Sequence, residues 1–400
     1  MSSKKIKGKK KEAIKKHSSM KKDYIVFGSP AIEEAEIEEV VKTLRSGWLG
    51  TGPKVAQFEK DIARYVGAEF AMALNSCTAG LHLSLLACGV GPGDEVITTP
   101  STFSATVNAI LHCGAKPVFV DVKLETGNID EDKIETAITA NTKVIMPVHM
   151  AGRPCDMDKI MDIARRHNLY VIEDAAHALG AEYKGKKIGS IADLTCFSFY
   201  VTKNIVTGEG GMVTTDNPSF ASKIKVYGLH GMSKDAWKRY SDEGYKHYEV
   251  IFPGFKYNMM DIQASIGIHQ LKRIGKYDKI RNEIWNFYNK ELKSLPITLP
   301  APDSGDYKHS RHLYTILVDE KKSGMNRDQF MQRLHEKGIG TGVHFNPVHL
   351  HKYYREAFGY KTGHYPNAEY IGERTVSLPL SAKLTMDDAR RIVKAIKEIL

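Results

Sequence analysis

Three polar clusters, each at the end of an apolar run, have residue types and spacings that could do chemistry. Lys203 follows the run Leu194–Tyr200 and precedes Gly208, Gly210 and Gly211. Most lysines are solvated. One held between apolar runs beside freely folding backbone suits an amine whose pKa must fall before it can act as nucleophile and base. Asp174 ends the run Tyr170–Glu173, and a carboxylate at the C-terminal edge of a parallel strand lies where open α/β sheets bind ligands. A turn former or helix cap fits the same position. The third cluster, Asn75-Ser76-Cys77-Thr78-Ala79-Gly80, is a polar turn whose amides and hydroxyls could meet an anion at a helix N-terminus. A plain Ser/Thr cap explains those residues equally.

These clusters need a scaffold, and the pattern from residue 70 onward supplies one. Short β-branched runs predict strands at Phe70–Leu74, Glu95–Thr98, Pro117–Val120, Val144–Val148, Tyr170–Glu173, Leu194–Tyr200 and Gly211–Thr214. Between them, helical periodicity covers Ala79–Ala87, Ala105–His112, Glu131–Thr139 and Asp158–His167. Alternation of this kind predicts an α/β fold, a mainly parallel sheet covered by helices. After about residue 217 the pattern turns helical, breaks at Phe252-Pro253-Gly254 and continues through Ile262–Leu295 to a proline-rich linker at Leu295–Pro302. A strand (His312–Val318), a helix (Arg327–Lys337), a strand (Gly340–Phe345) and a terminal helix (Met386–Leu400) then suggest a smaller α/β unit. At 400 residues the chain exceeds the size of a usual single core. The expected division is a large domain at 23–270 and a small one at 271–400.

Composition narrows the function classes. The chain is 42% hydrophobic and 26% charged, with a net charge of +10, and it has no uncharged apolar run long enough to span a membrane. The charge is concentrated: ten lysines against Glu12 give residues 1–22 a charge of +9, leaving +1 for the remaining residues. A near-neutral body is not the footprint of a surface that reads nucleic-acid backbones. The tail has too few large apolar residues to offset the entropy of ordering, so disorder is expected there. It also lacks the apolar core of a secretory signal. Five widely spaced cysteines, Cys77, Cys88, Cys113, Cys155 and Cys196, read as reduced core residues of a cytoplasmic protein, and no metal site is expected.

A helix end for a phosphate, a carboxylate for a pyridinium nitrogen and a lysine for an aldehyde together match one cofactor, pyridoxal 5'-phosphate (PLP). The ordered motifs are SerCysThrAla (76–79), ProSerThrPhe (100–103), ProValHis (147–149), GluAspAlaAlaHis (173–177), SerPheTyrValThrLysAsn (198–204), GlyGluGlyGly (208–211) and AsnMetMetAsp (258–261). Their order resembles that of the DegT/DnrJ/EryC1/StrS family of sugar aminotransferases over about residues 24–400. GlyIleGlyThrGlyValHisPhe (338–345) and HisLysTyrTyrArgGlu (351–356) look most like its UDP-4-amino-4-deoxy-L-arabinose aminotransferase branch. The resemblance implies PLP fold type I, with an aspartate aminotransferase-like large domain. It makes Lys203 the lysine that holds the cofactor's aldehyde and Asp174 the partner of its ring nitrogen. It gives the phosphate to Thr78, Ala79 and Ser198, the ring hydroxyl to His177, and ring stacking to Phe103.

By the same resemblance Asn258 reaches the phosphate of the other subunit's cofactor, which implies a homodimer with shared sites. His344, Tyr200 and the 48–53 loop with Trp48 fall on the substrate side. Simpler roles stay open: core packing for Phe103 and Tyr200, a satisfied buried histidine for His177, a surface role for His344 and a Gly-Pro turn for 48–53. The implied reaction passes an amino group, from L-glutamate as is usual in the family, to a nucleotide-linked 4-keto sugar. Such products feed cell-surface polysaccharide, lipid A or antibiotic sugars. Two alternatives compete. PLP-dependent sugar dehydratases that resemble this family replace the lysine by histidine, which Lys203 opposes. A regulatory or nucleic-acid-binding protein on the same scaffold would make the basic tail its arm.

Overall fold

A computed structural model of the chain describes residues 23–233, 248–303 and 305–400; the basic tail expected to be disordered lies outside them. The large sheet is built from β1 (Phe70–Leu74), β2 (Glu95–Thr98), β3 (Lys116–Phe119), β4 (Thr142–Ile145) and β5 (Tyr170–Asp174). After a short hairpin of β6 (Glu182–Tyr183) and β7 (Lys186–Lys187), it is completed by β8 (Leu194–Ser198) and β9 (Gly211–Thr215). The strand order is β1-β9-β8-β5-β4-β2-β3. Only β9 runs against its neighbours; the pairs from β8 to β3 are parallel.

Both faces of this sheet are covered, so its strands are largely buried on both sides. Consecutive residues point to opposite sides, and the cores divide accordingly. Ile145, Val171 and Phe197 join one cluster with Phe58 and Ile62 of the helix Pro53–Val66 and with Ile160 of the helix Met157–Arg166. Val144, Ile172 and Cys196 join the other with Leu81 and Leu85 of the helix Cys77–Ala87. All five cysteines are buried and free.

The second unit is a three-stranded antiparallel sheet of β10 (Ile297–Thr298), β12 (Tyr314–Val318) and β13 (Thr375–Leu378), in the order β10-β12-β13. The remaining strand, β11 (Tyr307–Lys308), joins the β6–β7 hairpin instead. Helices Ile274–Leu292, Arg327–Glu336 and Met386–Ile399 close a core around Trp285, Tyr288, Tyr314, Phe330 and Ile396. Ile25, from the beginning of the described chain, is buried in this second core and bridges to Ile339.

Several expectations are corrected. Residues Glu131–Thr139 form no α-helix but two single turns of 3-10 helix, Glu131–Lys133 and Glu135–Ala137. Their side chains are tied outward in different directions, Glu131 to Lys123, Glu135 to Arg166 and Thr139 to Glu95, and a run this short has little intrinsic helical stability. The strand at Gly340–Phe345 is absent. Its amides make isolated ties instead, Gly340 N–H to the Ile25 carbonyl (2.8 Å) and Gly342 N–H to that of Ser377 (3.1 Å). The helical stretch Ile262–Leu295 is two helices, Asp261–Lys272 and Ile274–Leu292, broken at Arg273.

Candidate active site

β5 and β8 lie side by side and deliver Asp174 and Lys203 to one end of the sheet. After Ser198 the chain leaves β8 in a loop closed at its base, where Phe199 N–H donates to the Gly210 carbonyl and Thr207 N–H to the Phe199 carbonyl, both at 2.9 Å. Lys203 rides on this loop, half-buried. Burial pulls its amine down to about 8, against weaker opposing influences from Cys77 and Asp174.

Asp174 is buried. Thr106 donates its hydroxyl to Oδ2 (2.7 Å), and the Ala176 amide donates to Oδ1 (3.1 Å). Thr102 hydrogen-bonds to Thr106 in turn, at 2.7 Å. Burial nonetheless raises the Asp174 carboxyl above its ordinary value, with those hydrogen bonds and Lys203 pulling the other way. A cation set against it would restore the carboxylate.

The helix Cys77–Ala87 begins beside them, capped by Ser76, whose Oγ accepts the Ala79 amide at 3.1 Å. The Ala79 N–H is thereby used, and the first-turn amides of Cys77 and Thr78 are the ones available to an anion. Gly211, the first residue of β9, runs directly against this turn: a Cβ there would lie 2.5 Å from the Cys77 nitrogen. Only glycine lets β9 come this close.

His177 is buried, and its Nδ1 has no hydrogen-bond partner among the described residues. Its ring lies 4.5 Å from that of His312 and 6.0 Å, stacked, from Phe345. Burial, and secondarily Lys203, keeps it neutral. His344 hydrogen-bonds through Nδ1 to the Ser377 hydroxyl (2.7 Å), stacks on Phe27 and is pulled down to about 4, chiefly by burial. It also borders a cleft of about 310 Å³ with Ser101, Arg153 and Thr375. His344 is thus half-buried at the edge of that cleft rather than on the open surface.

Core packing for Phe103 is excluded: the side chain is 60% exposed, 5.9 Å from the Phe345 ring. Tyr200 is likewise exposed at 44%, and Ser198 accepts its amide at 3.4 Å. Trp48 is 41% exposed, with its indole N–H on the Thr51 carbonyl at 3.2 Å. Asn258 joins the 48–53 loop, donating to the Thr51 hydroxyl (2.7 Å), while its Oδ1 has no hydrogen-bond partner among the described residues.

Sequence reasoning missed Thr106, Asn204, Ser310 and His312. The one available signal was HisSerArgHis (309–312), a polar run directly before an apolar strand. All four of its residues are buried.

The residues present fit PLP. The unpaired Nδ1 of His177, the elevated Asp174 carboxyl, the free first-turn amides and a lysine lowered toward neutrality answer a hydroxyl, a ring nitrogen, a phosphate and an aldehyde, respectively.

Residues 30–397 match the model of the DegT/DnrJ/EryC1/StrS aminotransferase family. The chain is 51% identical to the spore coat polysaccharide biosynthesis protein SpsC of Bacillus subtilis, over 94% of this chain and 97% of that one. It is 45% identical to a UDP-4-amino-4-deoxy-L-arabinose–oxoglutarate aminotransferase of Shewanella sediminis, over 95% of this chain and 99% of that one. A putative sugar aminotransferase of Streptococcus pneumoniae, solved in its PMP form, superposes with a TM-score of 0.88 at 37% identity, covering 94% of this chain and 98% of that one.

Proposed function

Since the chain belongs to the DegT/DnrJ/EryC1/StrS aminotransferase family and is thus a sugar aminotransferase, we propose that it uses PLP to move an amino group from L-glutamate to a nucleotide-linked 4-keto sugar. One observation carries this reading: the buried, elevated Asp174 carboxyl shares a sheet end with a lysine whose amine is lowered to about 8. When bound, PLP supplies an electron sink and a carrier for the amine.

The chain's residues do the rest. Cys77 and Thr78 amides, with Thr78 and Ser198 hydroxyls, hold the phosphate. Thr106 orients Asp174, which keeps the ring nitrogen protonated. His177 bonds the ring hydroxyl, and Phe103 covers the ring face. Lys203 binds the aldehyde through its neutral amine. The same amine, when free, would be placed to take and return the α-proton of the amino donor. His344, Tyr200 and Trp48 line the side where the sugar enters.

The Shewanella relative's name couples a UDP-amino sugar to oxoglutarate, the keto acid of glutamate, which supports both substrate assignments. A homodimer with shared sites is supported by the exposed apolar residues Val250, Ile251 and Met260, which flank Asn258 in sequence, and by the Asn258 Oδ1, which has no partner among the described residues. Borohydride reduction of the holoenzyme followed by peptide mapping tests the lysine: PLP fixed on any lysine but Lys203 overturns the mechanism. UDP- and dTDP-keto sugars offered with glutamate, read by 2-oxoglutarate release, test the substrates. Mixing inactive Lys203→Ala and Asn258→Ala subunits should restore one intact site per heterodimer. No recovery despite verified subunit exchange removes Asn258 from the shared site.

A further inference from the structure

The segment His309–His312 enters the site region from the second unit, between β11 and β12, and every one of its side chains is tied. His309 accepts the Arg311 amide on Nδ1 (2.9 Å). Ser310 donates its hydroxyl to the His177 carbonyl (2.6 Å), and its amide bonds the Gly152 carbonyl (3.0 Å). Arg311 is held by Asp303 and by Asn282 (3.0 Å). From behind, the buried Arg281 donates to the carbonyls of Arg311 (3.1 Å), His312 (3.4 Å) and Leu380 (2.9 Å).

His312 completes the set. Its Nδ1 faces the Asn204 carbonyl oxygen at 3.1 Å. An amide oxygen only accepts, so Nδ1 carries the proton. The Asn204 amide nitrogen donates to the carbonyls of Ser310 (2.8 Å) and Leu179 (3.4 Å). The Asn204 side chain is thus committed at both ends, and its neighbour in the chain is Lys203. The His312 ring also packs on that of His177, 4.5 Å away between centroids and tilted by 38°.

The β8–β9 loop is closed at its base by Phe199, Thr207 and Gly210, but its crown is irregular, and a lysine there needs a fixed Cα to place its amine. We propose that His312 is a positioning residue for Lys203. Through Asn204 it pins the crown of the lysine's loop to the second unit, and through its ring it sets the plane of His177. Both groups that would meet the cofactor's reacting side are then referenced to one imidazole. The proposal rests on Lys203 being the reacting lysine, and the mapping experiment above tests that separately.

The test compares wild type, His312→Phe, Asn204→Ala and the double variant as holoenzymes. His312→Phe keeps an aromatic ring and removes both ring nitrogens, among them the Nδ1–H that faces Asn204. Kcat for amino transfer should fall by about 10²-fold, the usual scale for a misplacement of about 1 Å, with the KM for the amino donor changed by less than about threefold. The double variant should be no worse than Asn204→Ala alone, because the two lesions break one link. The absorbance band of bound PLP should broaden or shift in His312→Phe, which a purely structural loss of stability would not produce. His312→Gln, whose side-chain amide can still donate, should recover part of kcat and is also the variant to read if His312→Phe fails to fold. Unchanged kcat in a folded His312→Phe enzyme, or losses that multiply in the double variant, overturn the proposal. PLP mapped to another lysine in wild type overturns the site assignment instead.

Discussion

Two carboxylates sit side by side on β5, and the difference between them separates framework from chemistry. Glu173 is fully buried, and its Oε1 faces Nε2 of His149 at 3.1 Å. The Cys155 amide donates to Nδ1 of that histidine (3.1 Å), so the histidine's proton is on Nε2 and points at Glu173. Thr195 donates to the other oxygen. On this face every valence is met. Asp174, one residue on and facing the other way, is also buried, but its carboxyl is raised and its neighbour His177 has an unpaired ring nitrogen. Burial alone is common to both. A raised carboxyl beside an unpaired ring nitrogen, at the end of a strand, is what marks this side as the one prepared for a ligand.

This contrast can be broken at several points. Lys203→Ala should have the largest effect, a loss of about 10⁴-fold in kcat, near the top of the range for removing an acid–base group. PLP should still bind through its phosphate and ring, as equilibrium dialysis would show. Asp174→Ala should cost about 3–5 kcal/mol of transition-state stabilisation through loss of a buried charge partner, roughly 10²- to 10⁴-fold in kcat/KM. A near-normal rate would place the ring-nitrogen contact elsewhere.

The closed face should behave in the opposite way. His149→Leu leaves an oxygen of the buried Glu173 carboxyl without its hydrogen-bond partner and should destabilise the fold by about 1–3 kcal/mol, read as a lower urea midpoint, with kcat of the folded holoenzyme within about threefold of wild type. A large kcat defect without loss of stability would erase the distinction between the two faces. Smaller still is the pH effect. With the Lys203 amine at about 8 rather than 10.5, its neutral fraction grows as pH rises and levels off just above 8. The rate of PLP capture by apoenzyme should therefore climb about fivefold from pH 7 to 8 and then flatten; a solvated lysine would keep gaining about tenfold per unit. Deleting residues 1–21, which include none of the site residues named above, should leave turnover unchanged.

How much of this was legible in the sequence follows the range of the interactions. β1 and β2 were read to the residue because their limits are set by local apolar runs and flanking polar turns. The place of Asp174 at the end of β5 was legible for the same reason, whereas Lys203, five residues beyond the end of β8, stood out by its glycine-flanked motif. Glu131–Thr139 was misread because its side chains answer to Lys123, Arg166 and Glu95 rather than to the next helical turn. Asn204 and His312 left no local trace of their meeting, since they lie over a hundred positions apart and are joined only by the docking of the second unit. The exposed Phe103 illustrates the converse: an aromatic in an apolar context looks like core until the fold leaves its face open.

The insertion of β9 between β1 and β8 also orders events in time. The anion seat at Ser76–Thr78 leaves the ribosome early, but Gly211, which closes against it, follows about 130 residues later. At about 5–20 residues per second that is a delay on the order of ten seconds. His312 is a further hundred or so residues behind. A truncated or stalled chain therefore carries the seat without the strand that walls it and the lysine without the histidine link that anchors its loop.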